Sequence, residues 1–537
     1  MSKKFKIAIL GSGPAGMSAA MHAAALKLDH VLLEKTDHLS DTIFRYQRGK
    51  HIMATPSQLV LRADAGFAPG KREAILDLWN RQAREAGINI RYRAEARAIA
   101  GAKGDFTVTL TNGEVIAAET VILAIGTQGN PNLLRCDGAA LPHVQYQLDD
   151  PAEYVDEHIF VIGGGDAGIE NALGLVADAA QGNVVTLVNR SADFAKAKDA
   201  NVKDLMAARD AGRLSILSSA TPAKIEKGWI NVETPDGEAR LACDRVIARM
   251  GSAAPRKFVE SAGIRFTSEA REAFPQLSPT FETSVPGIYV IGALAGYPLI
   301  KHCMNQGYDV VEYIAGNTLL KPADEPILEG RLKGLSLRKS VAEWIEFLRS
   351  EVEILRGLSP LQMREFLLDC NVRVFKDNDV IFRRNMTGSS LFGIASGSVK
   401  VEVNPRDPSV TVPIGKGSIF GEVGLISGRR RGATVRAGKD CIVVEIPRTA
   451  ALKLMASVKE AKDTVNRITT ERQLLQIFGS GLSREDLQDV LGAAEVKEIK
   501  SGDAVVSEGE EGYDIFVVRS GSMTVEKAIG GRQVFLS

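Results

Sequence analysis

Cysteine is scarce in this chain. Five cysteines are spread over 537 residues, at positions 136, 243, 303, 370 and 441, and no two form a C-x-x-C pair. No group of residues has metal-ligand spacing, and no Ser-His-Asp arrangement stands out. Thiols scattered in this way fit a reducing, cytoplasmic setting. Charge of one sign is also missing. Lysine plus arginine and aspartate plus glutamate both number 66, which gives no support to a general nucleic-acid or membrane-surface role. No apolar run reaches membrane-spanning length. The first ten residues carry lysines but lead straight into a strand and a glycine turn, which is not the layout of a signal peptide. Apolar content is an ordinary 45%, and the length exceeds what one core supports, so three or more domains are expected.

Two glycine turns are present. The first is Lys6–Leu10, an apolar strand, then Gly11-Ser-Gly13-Pro14-Ala15-Gly16, then an alanine-rich helix. In such a turn Gly11 bends the chain, Gly13 lets the backbone approach a pyrophosphate and Gly16 lets helix and strand pack closely. The pyrophosphate would sit on the helix N-terminus, where free N–H groups and the dipole favour it. The next strand, His30–Leu33, ends at Glu34 with Lys35 beside it, and a carboxylate there can accept both ribose hydroxyls of an adenosine.

The second turn follows the strand His158–Ile162 and reads Gly163-Gly164-Gly165-Asp166-Ala167-Gly168, with Glu170 in the opening helix. Its next strand, Val184–Val188, ends in Asn189-Arg190 instead of an acid. An acid would repel a 2′-phosphate and Arg190 could pair with it, with Lys196 and Lys198 adding positive charge, so NADPH is favoured and NADH stays possible. Two such turns about 150 residues apart imply two dinucleotides, FAD in the first and NADPH in the second. The strands Thr120–Ile125, ending in the Gly126-Thr127 turn, and Gly287–Ile291, ending in Gly292-Ala293, should pack around the first dinucleotide, with a helix from about Met304 to Ala315 after them.

GSGPAG, the AIGT turn, GGGDAGIENA, VNRSADF and GIYVIG, in that order, make residues 5–318 resemble the thioredoxin-reductase-like flavoprotein reductases. Gln145-Tyr146, Asp150-Pro151 and Tyr154 are similar to the bacillithiol-disulfide-reductase-like branch, which lacks the redox dithiol. The resemblance implies an FAD-dependent NADPH oxidoreductase, commonly a dimer, that moves hydride from NADPH to flavin. Two positions depart from the group. Gln145–Asp150 stands where thioredoxin reductases carry C-x-x-C. Ala293 stands where an aspartate usually bonds the flavin's ribityl chain, a contact worth about 1 kcal/mol.

Electrons must then leave for an external acceptor: a disulfide, a quinone or an iron–sulfur partner. Cys303, in Lys301-His302-Cys303, lies near a helix start, where the dipole and a lysine would favour a thiolate. Two readings stay open for it, a flavin-proximal thiol that engages a disulfide and a small buried packing cysteine. Lys301 and His302 could tune the flavin's charge or steer an acidic partner. Cys136 reads as surface loop.

The character changes after Leu319. Lys321–Pro326 is linker-like, Leu337–Leu355 has helical apolar spacing, and short alternating strands then suggest a small β-barrel. An internal repeat at an offset of 124 joins Gly357-Leu-Ser359 to Gly481-Leu-Ser483, Asp379 to Asp503, Gly388–Phe392 to Gly512–Phe516 and Ser396–Ser398 to Ser520–Ser522. The repeat resembles the cyclic-nucleotide-binding domain. Its phosphate cassette matches Phe420-Gly421-Glu422 and Arg431-Gly432-Ala433-Thr434-Val435. The resemblance implies that Glu422 accepts the ribose 2′-OH and that Arg431 and backbone N–H groups hold the cyclic phosphate. Ala433 resembles cAMP-type cassettes, and Arg429 and Arg430 are extra. The cassette of copy two would fall beyond Ser537, so the natural protein is expected to be longer.

The expected class is α/β, with two Rossmann-like domains, the NADPH domain inserted in a split FAD domain, followed by jelly-roll-like barrels. The expected bounds are 1–150 and 250–318 for FAD, 151–249 for NADPH, 319–356 for a linker and helix, 357–458 for the first barrel and 459–537 for a connecting helix and partial second barrel. The alternative function is a flavin redox sensor whose barrels dock partners with little turnover.

Overall fold

The computed structural model describes residues 3–535, except 195–196, 272, 336–338, 389, 428–429, 479–483, 496, 498, 500–502, 519–522 and 530–531. The chain divides into two compact units, Met1–Ile327 and Leu328–Ser537.

In the first unit, Ile7–Leu10 is apolar on both faces, as a strand covered on both sides must be. It forms β1 (Lys4–Leu10), with Ile7, Ala8, Ile9 and Leu10 buried. Pro14 begins α1 (Pro14–Ala25), where its missing N–H leaves no bond unmade. The strands β2 (His30–Leu33) and β3 (Val115–Leu123) lie parallel to β1 on either side. Asp105–Leu110 and Ala96–Ala102 extend this sheet antiparallel beyond β3, and Ile90–Arg91 closes its other edge.

The chain then builds a second parallel sheet. Its centre is β4 (His158–Ile162), which is followed by α2 (Asp166–Leu175) and lies between β5 (Val184–Asn189) and β6 (Arg245–Ala248). A three-stranded antiparallel sheet, Thr221–Glu226, Gly228–Thr234 and Gly237–Cys243, shares the core of Phe160, Val188 and Val246 through Ile225, Ile230 and Val232. Then β7 (Ile288–Val290) returns to pair in parallel with β3 of the first sheet. One sheet, parallel at its centre, is thus interrupted by another, the expected α/β nesting.

The helix α3 (Ile300–Ala315) closes the unit. It begins four residues before the expected Met304, because Leu299 is extended and its carbonyl already accepts from the Cys303 N–H at 3.0 Å. Gly307 is where α3 meets α1: a Cβ there would overlap the Ala15 carbonyl and lie 2.8 Å from Ala19 N. Across the same crossing the Ser18 hydroxyl donates to the Met304 carbonyl at 2.7 Å.

The second unit opens with helices, two of them closed by reciprocal caps. Ser340 and Glu343 cap Val341–Glu351, and Ser359 and Gln362 cap Pro360–Asp369. Two four-stranded antiparallel sheets follow, one containing β8 (Leu391–Ser396) and β9 (Ile419–Phe420), the other built from Val380–Phe382, Thr434–Ala437, Ser398–Glu402 and Thr411–Gly415. Phe382, Phe392, Phe420, Ile394, Val399 and Val443 fill the space they enclose. The short helix α4 (Glu422–Ser427) follows β9, and the long helix α5 (Lys459–Phe478) follows the barrel.

The repeat is visible in one element: the helix Arg484–Ala493 lies 124 residues after Pro360–Asp369, end for end. Gly481–Ser483 and Ser520–Ser522, two of the recurring segments, lie outside the described residues. Among the described residues of copy two there is one hairpin, Glu526–Ile529 with Arg532–Phe535.

Candidate functional site

The two glycine turns have the same internal geometry. Gly11 has φ +93°, and a Cβ on it would stand 2.7 Å from the Ala124 carbonyl oxygen at the end of β3. A Cβ on Gly16 would overlap the Gly11 carbonyl. Gly13 has an ordinary φ of −60°, and a Cβ there would meet nothing within 4 Å. In the second turn, Gly163 has φ +126° and is pressed on the Arg249 carbonyl, while a Cβ on Gly168 would overlap the Gly163 carbonyl. Gly165 faces open space as Gly13 does. The outer glycines are therefore required by packing, and the middle ones keep the start of α1 and of α2 bare.

Glu34 stands at the end of β2 and is buried. Its Oε2 accepts from the Ser12 N–H at 2.8 Å and the Ser12 hydroxyl at 2.7 Å, and its Oε1 accepts from the Thr36 N–H at 2.9 Å and the Thr36 hydroxyl at 3.0 Å. The Thr36 hydroxyl, with one proton to give, lies equally near the His38 carbonyl at 3.0 Å. Lys35 is exposed, with its ammonium beside the Gly129 turn. Thr127 shares a 3.0 Å hydroxyl bond with Ser252, which joins the loop after β3 to the loop after β6.

The turn after β7 meets α1 and α3. Gly292 has φ +72°, and its N–H donates to Gln306 Oε1 at 2.7 Å. A Cβ on it would lie 3.2 Å from that of Ala15 and 3.4 Å from Cys303 Sγ. Ala293 follows in the same short 3-10 turn. The segments expected to surround the first dinucleotide thus come together, and Cys303 is among them. It is buried, and its thiol donates to the Tyr297 carbonyl at 3.2 Å, a bond that uses the thiol proton and favours the packing reading. Lys301 Nζ reaches the carbonyls of Pro56, Ser57 and Leu59 at 3.1, 3.4 and 3.0 Å. It therefore fastens that loop to the start of α3.

His302 corrects an expectation. It is buried, its Nε2 has no partner, and burial pushes its pKa down to about 4. A neutral imidazole does not steer an acidic partner by charge. Cys136 lies in a loop, as expected, half-buried against the core of Phe160, Val188 and Val246. Burial raises its pKa, drives those of Cys243 and Cys441 up to about 12 and about 11, and takes that of Cys370 well above the usual thiol range.

Around the second turn, Asp166 Oδ1 accepts from Lys198 N and Asn201 Nδ2, both at 2.8 Å. Glu170 accepts from Asn201 at 3.1 Å and pairs with Lys50 at 2.6 Å. Asn171 donates to Gln47 Oε1 at 2.7 Å. The opening of α2 is thus tied to the segment 46–50 that follows β2. Ala167 lies in its first turn. Asn189 is buried and donates to the carbonyls of Ser191 and Asp193, and Arg190 is exposed. Lys196 lies outside the described residues. Gln145 donates to the Tyr154 hydroxyl at 2.7 Å, and Arg249 donates to the Tyr146 carbonyl at 2.7 Å. Sequence reading missed Lys50 and Arg249. Arg249 has a buried Nε without a partner beside the second turn.

In the barrel, Gly421 has φ +84° and turns the chain from β9 into α4. Arg431 is buried, with its guanidinium 4.4 Å from the Phe382 ring centre. It donates to the carbonyls of Gly421 at 3.0 Å and Ser390 at 2.7 Å. Ala433 is half-buried, and the Thr434 hydroxyl accepts from Arg384 N at 3.2 Å. Glu422 is buried and paired with Arg472 of α5 at 2.8 Å. Arg430 is exposed and Arg429 lies outside the described residues.

Sheet nesting, paired glycine turns and their spacing define a two-dinucleotide oxidoreductase. Residues 8–292 match the pyridine nucleotide-disulphide oxidoreductase family, and the chain belongs to it. Residues 372–458 match the cyclic nucleotide-binding domain. The first unit is similar to the ferredoxin–NADP reductase of Gluconacetobacter diazotrophicus, 28% identical over 315 residues, which covers 56% of this chain and 87% of that protein. It is also similar to bacilliredoxin reductase of Bacillus subtilis, 24% identical over 296 residues, covering 54% and 90%. The fold is that of the bacillithiol disulfide reductase of Staphylococcus aureus, with a TM-score of 0.54 at 21% identity, covering 59% of this chain and 99% of that one. No helix among the described residues is long and apolar enough to cross a membrane.

Proposed function

We propose that this oxidoreductase binds FAD at Gly11–Gly16 and NADPH at Gly163–Gly168, reduces an external acceptor, and carries a barrel that takes a cyclic nucleotide. The observation that supports it best is the shared form of the two turns, with outer glycines locked against backbone and middle glycines facing open space. When bound, the flavin would supply hydride acceptance from the nicotinamide and electron release to the acceptor. The chain's own residues hold that chemistry in place. The bare first turns of α1 and α2 offer N–H groups to a pyrophosphate. Gln306 fixes the Gly292 turn, and Lys301 fixes the loop 56–59. Asn189-Arg190, in place of an acid after β5, supports NADPH over NADH. The proposed bounds are 1–150 and 250–318 for FAD and 151–249 for NADPH.

The names of the relatives point to an iron–sulfur protein or a disulfide as acceptor. An internal dithiol relay has no C-x-x-C to run on, since Gln145–Asp150 stands where thioredoxin reductases carry one. Anaerobic NADPH added to the purified chain is expected to bleach a flavin spectrum, and more readily than NADH does. A flavin that stays oxidised with both overturns the redox half. A docking-only barrel is the second reading, favoured by the engagement of Glu422 with Arg472. Calorimetry with cAMP and cGMP on the wild type and Arg431→Ala separates the two, because binding heat that Arg431→Ala loses supports the ligand site.

A further inference from the structure

Lys50 is held firmly by its backbone. Its carbonyl accepts from the Arg72 N–H at 2.9 Å, and its N–H donates to the Gln47 carbonyl at 3.2 Å. Arg72 also donates through Nη1 to the Tyr46 carbonyl. The segment 46–50 is thereby fixed to the helix Arg72–Glu85. From that anchor the Lys50 ammonium makes two contacts. It lies 4.0 Å from the centre of the Tyr46 ring and 2.6 Å from Glu170 Oε2 in α2. The paired side chains are only 21% and 24% exposed, so salt screens them less than a surface pair. Glu170 is held from its own side too, where Oε1 accepts from Asn201 at 3.1 Å. Its Oε2 has no hydrogen-bond partner, so Lys50 acts on it through charge rather than through a directed bond.

Tyr46 shows where this row of side chains runs. Burial pushes its phenol up to about 12, the charges of Glu170 and Cys303 push the same way, and Arg249 opposes them. Glu170 and Arg249 border the second glycine turn, while Cys303 borders Gly292, which packs on Ala15 of the first. Tyr46, Lys50 and Glu170 therefore run between the surroundings of the two turns.

We propose that Lys50 is a positioning residue for hydride transfer, fixing the start of α2 against the Tyr46 ring so that the two turns keep one separation. This rests on the reading of those turns as NADPH and FAD sites. Lys50 itself exchanges no bond, proton or electron; the hydride carries both electrons from NADPH, leaving NADP⁺, and reduces the flavin. Reacting atoms must stand about 3–3.5 Å apart, and a misplacement of about 1 Å costs about a hundredfold in rate. A pyrophosphate on the bare first turn of α2 needs no such register. Rate and affinity should therefore separate at Lys50. Asn171 ties the same two segments through a neutral bond to Gln47 at 2.7 Å, which keeps them joined when the charge is removed.

The test uses the full chain as wild type, Lys50→Met, Lys50→Arg, Glu170→Gln and the double variant of Lys50→Met with Glu170→Gln. Anaerobic stopped-flow absorbance gives the rate of bleaching per bound flavin at saturating NADPH. Calorimetry gives the NADP⁺ affinity, and hydrogen exchange without nucleotide is read over 46–50 and 166–175. Lys50→Met is expected to slow bleaching about ten- to a hundredfold and to leave NADP⁺ affinity within about twofold. It should also speed exchange at the start of α2, while β1 and β4 exchange as in the wild type. Lys50→Arg restores the charge and should recover the exchange protection and part of the rate, since its planar fork fits the ring and the carboxylate differently from a point charge. The double variant should be no slower than the slower single one, because both changes break one contact. Bleaching by Lys50→Met at the wild-type rate overturns the proposal, as does a loss that appears in NADP⁺ affinity instead. Losses that multiply in the double variant overturn the shared contact, and unchanged exchange over 166–175 overturns the attachment. A wild-type flavin that NADPH does not bleach overturns the redox reading itself, an outcome distinct from a wild type and a Lys50→Met that bleach equally fast.

Discussion

Gly13 and Gly16 lie three residues apart in one turn and answer to different demands. A methyl group on Gly13 meets nothing and suits its φ of −60°. Gly13→Ala should therefore leave the unfolding free energy of the apo chain within about 0.5 kcal/mol while lowering flavin content, because the methyl occupies the approach to the pyrophosphate. A methyl on Gly16 overlaps the Gly11 carbonyl, so Gly16→Ala should cost about 1–3 kcal/mol or more. Chemical denaturation and flavin absorbance of both variants check the pair, and equal stability losses would remove the distinction. His302 gives a second prediction. Its pKa is about 4 when folded, lowered by burial and partly opposed by Asp324, against 6.5 for the free side chain. Between those values the unfolded chain binds a proton that the folded chain does not, so stability is complete above pH 6.5 and lost as pH falls through 4. The loss is at most about 3 kcal/mol. His302→Gln should flatten this part of the pH profile, and a difference from the wild type that is the same at pH 7 and pH 4.5 would reject it.

The crossing of α1 and α3 joins the first glycine turn to the Gly292 turn through Ala15, Ser18, Met304 and Gly307. Gly307→Ala forces a methyl into the Ala15 carbonyl, and since both atoms belong to helix backbones the helices must separate. A cost of about 1–3 kcal/mol is expected, together with loss of flavin content, because α1 carries its bare N-terminus with it. A lowered melting temperature with full flavin content would show that the crossing matters to the fold alone. Elements like these are legible in the sequence, because a glycine turn between strand and helix writes its requirements into six consecutive residues. Pairings between distant segments were not. Nothing local marks Lys50 as the partner of Glu170, or Ser12 as a donor that engages Glu34. Arg472 carried a faint signal as a charge on a face of α5 otherwise lined by Ala461, Val465 and Ile468. The helix α3 starts at Ile300, before the expected Met304, and takes in Lys301, His302 and Cys303, of which His302 and Cys303 are buried.

At the scale of the whole molecule, residues 8–292 match the oxidoreductase family and residues 372–458 the cyclic nucleotide-binding domain. Regulation of one by the other, as proposed, would appear as a coupling free energy, and such coupling is reciprocal. Whatever factor cAMP applies to the affinity for NADPH, NADPH must apply to the affinity for cAMP. Typical couplings are about five- to 150-fold, large enough to measure from both sides. Binding of NADPH to the oxidised chain, followed by fluorescence under conditions that prevent turnover, should shift with saturating cAMP. Calorimetric binding of cAMP should shift by the same factor with saturating NADP⁺ as the redox-inert probe, once NADP⁺ itself has been shown to respond to cAMP. A cAMP affinity indifferent to the dinucleotide would leave the barrel a module that docks without regulating.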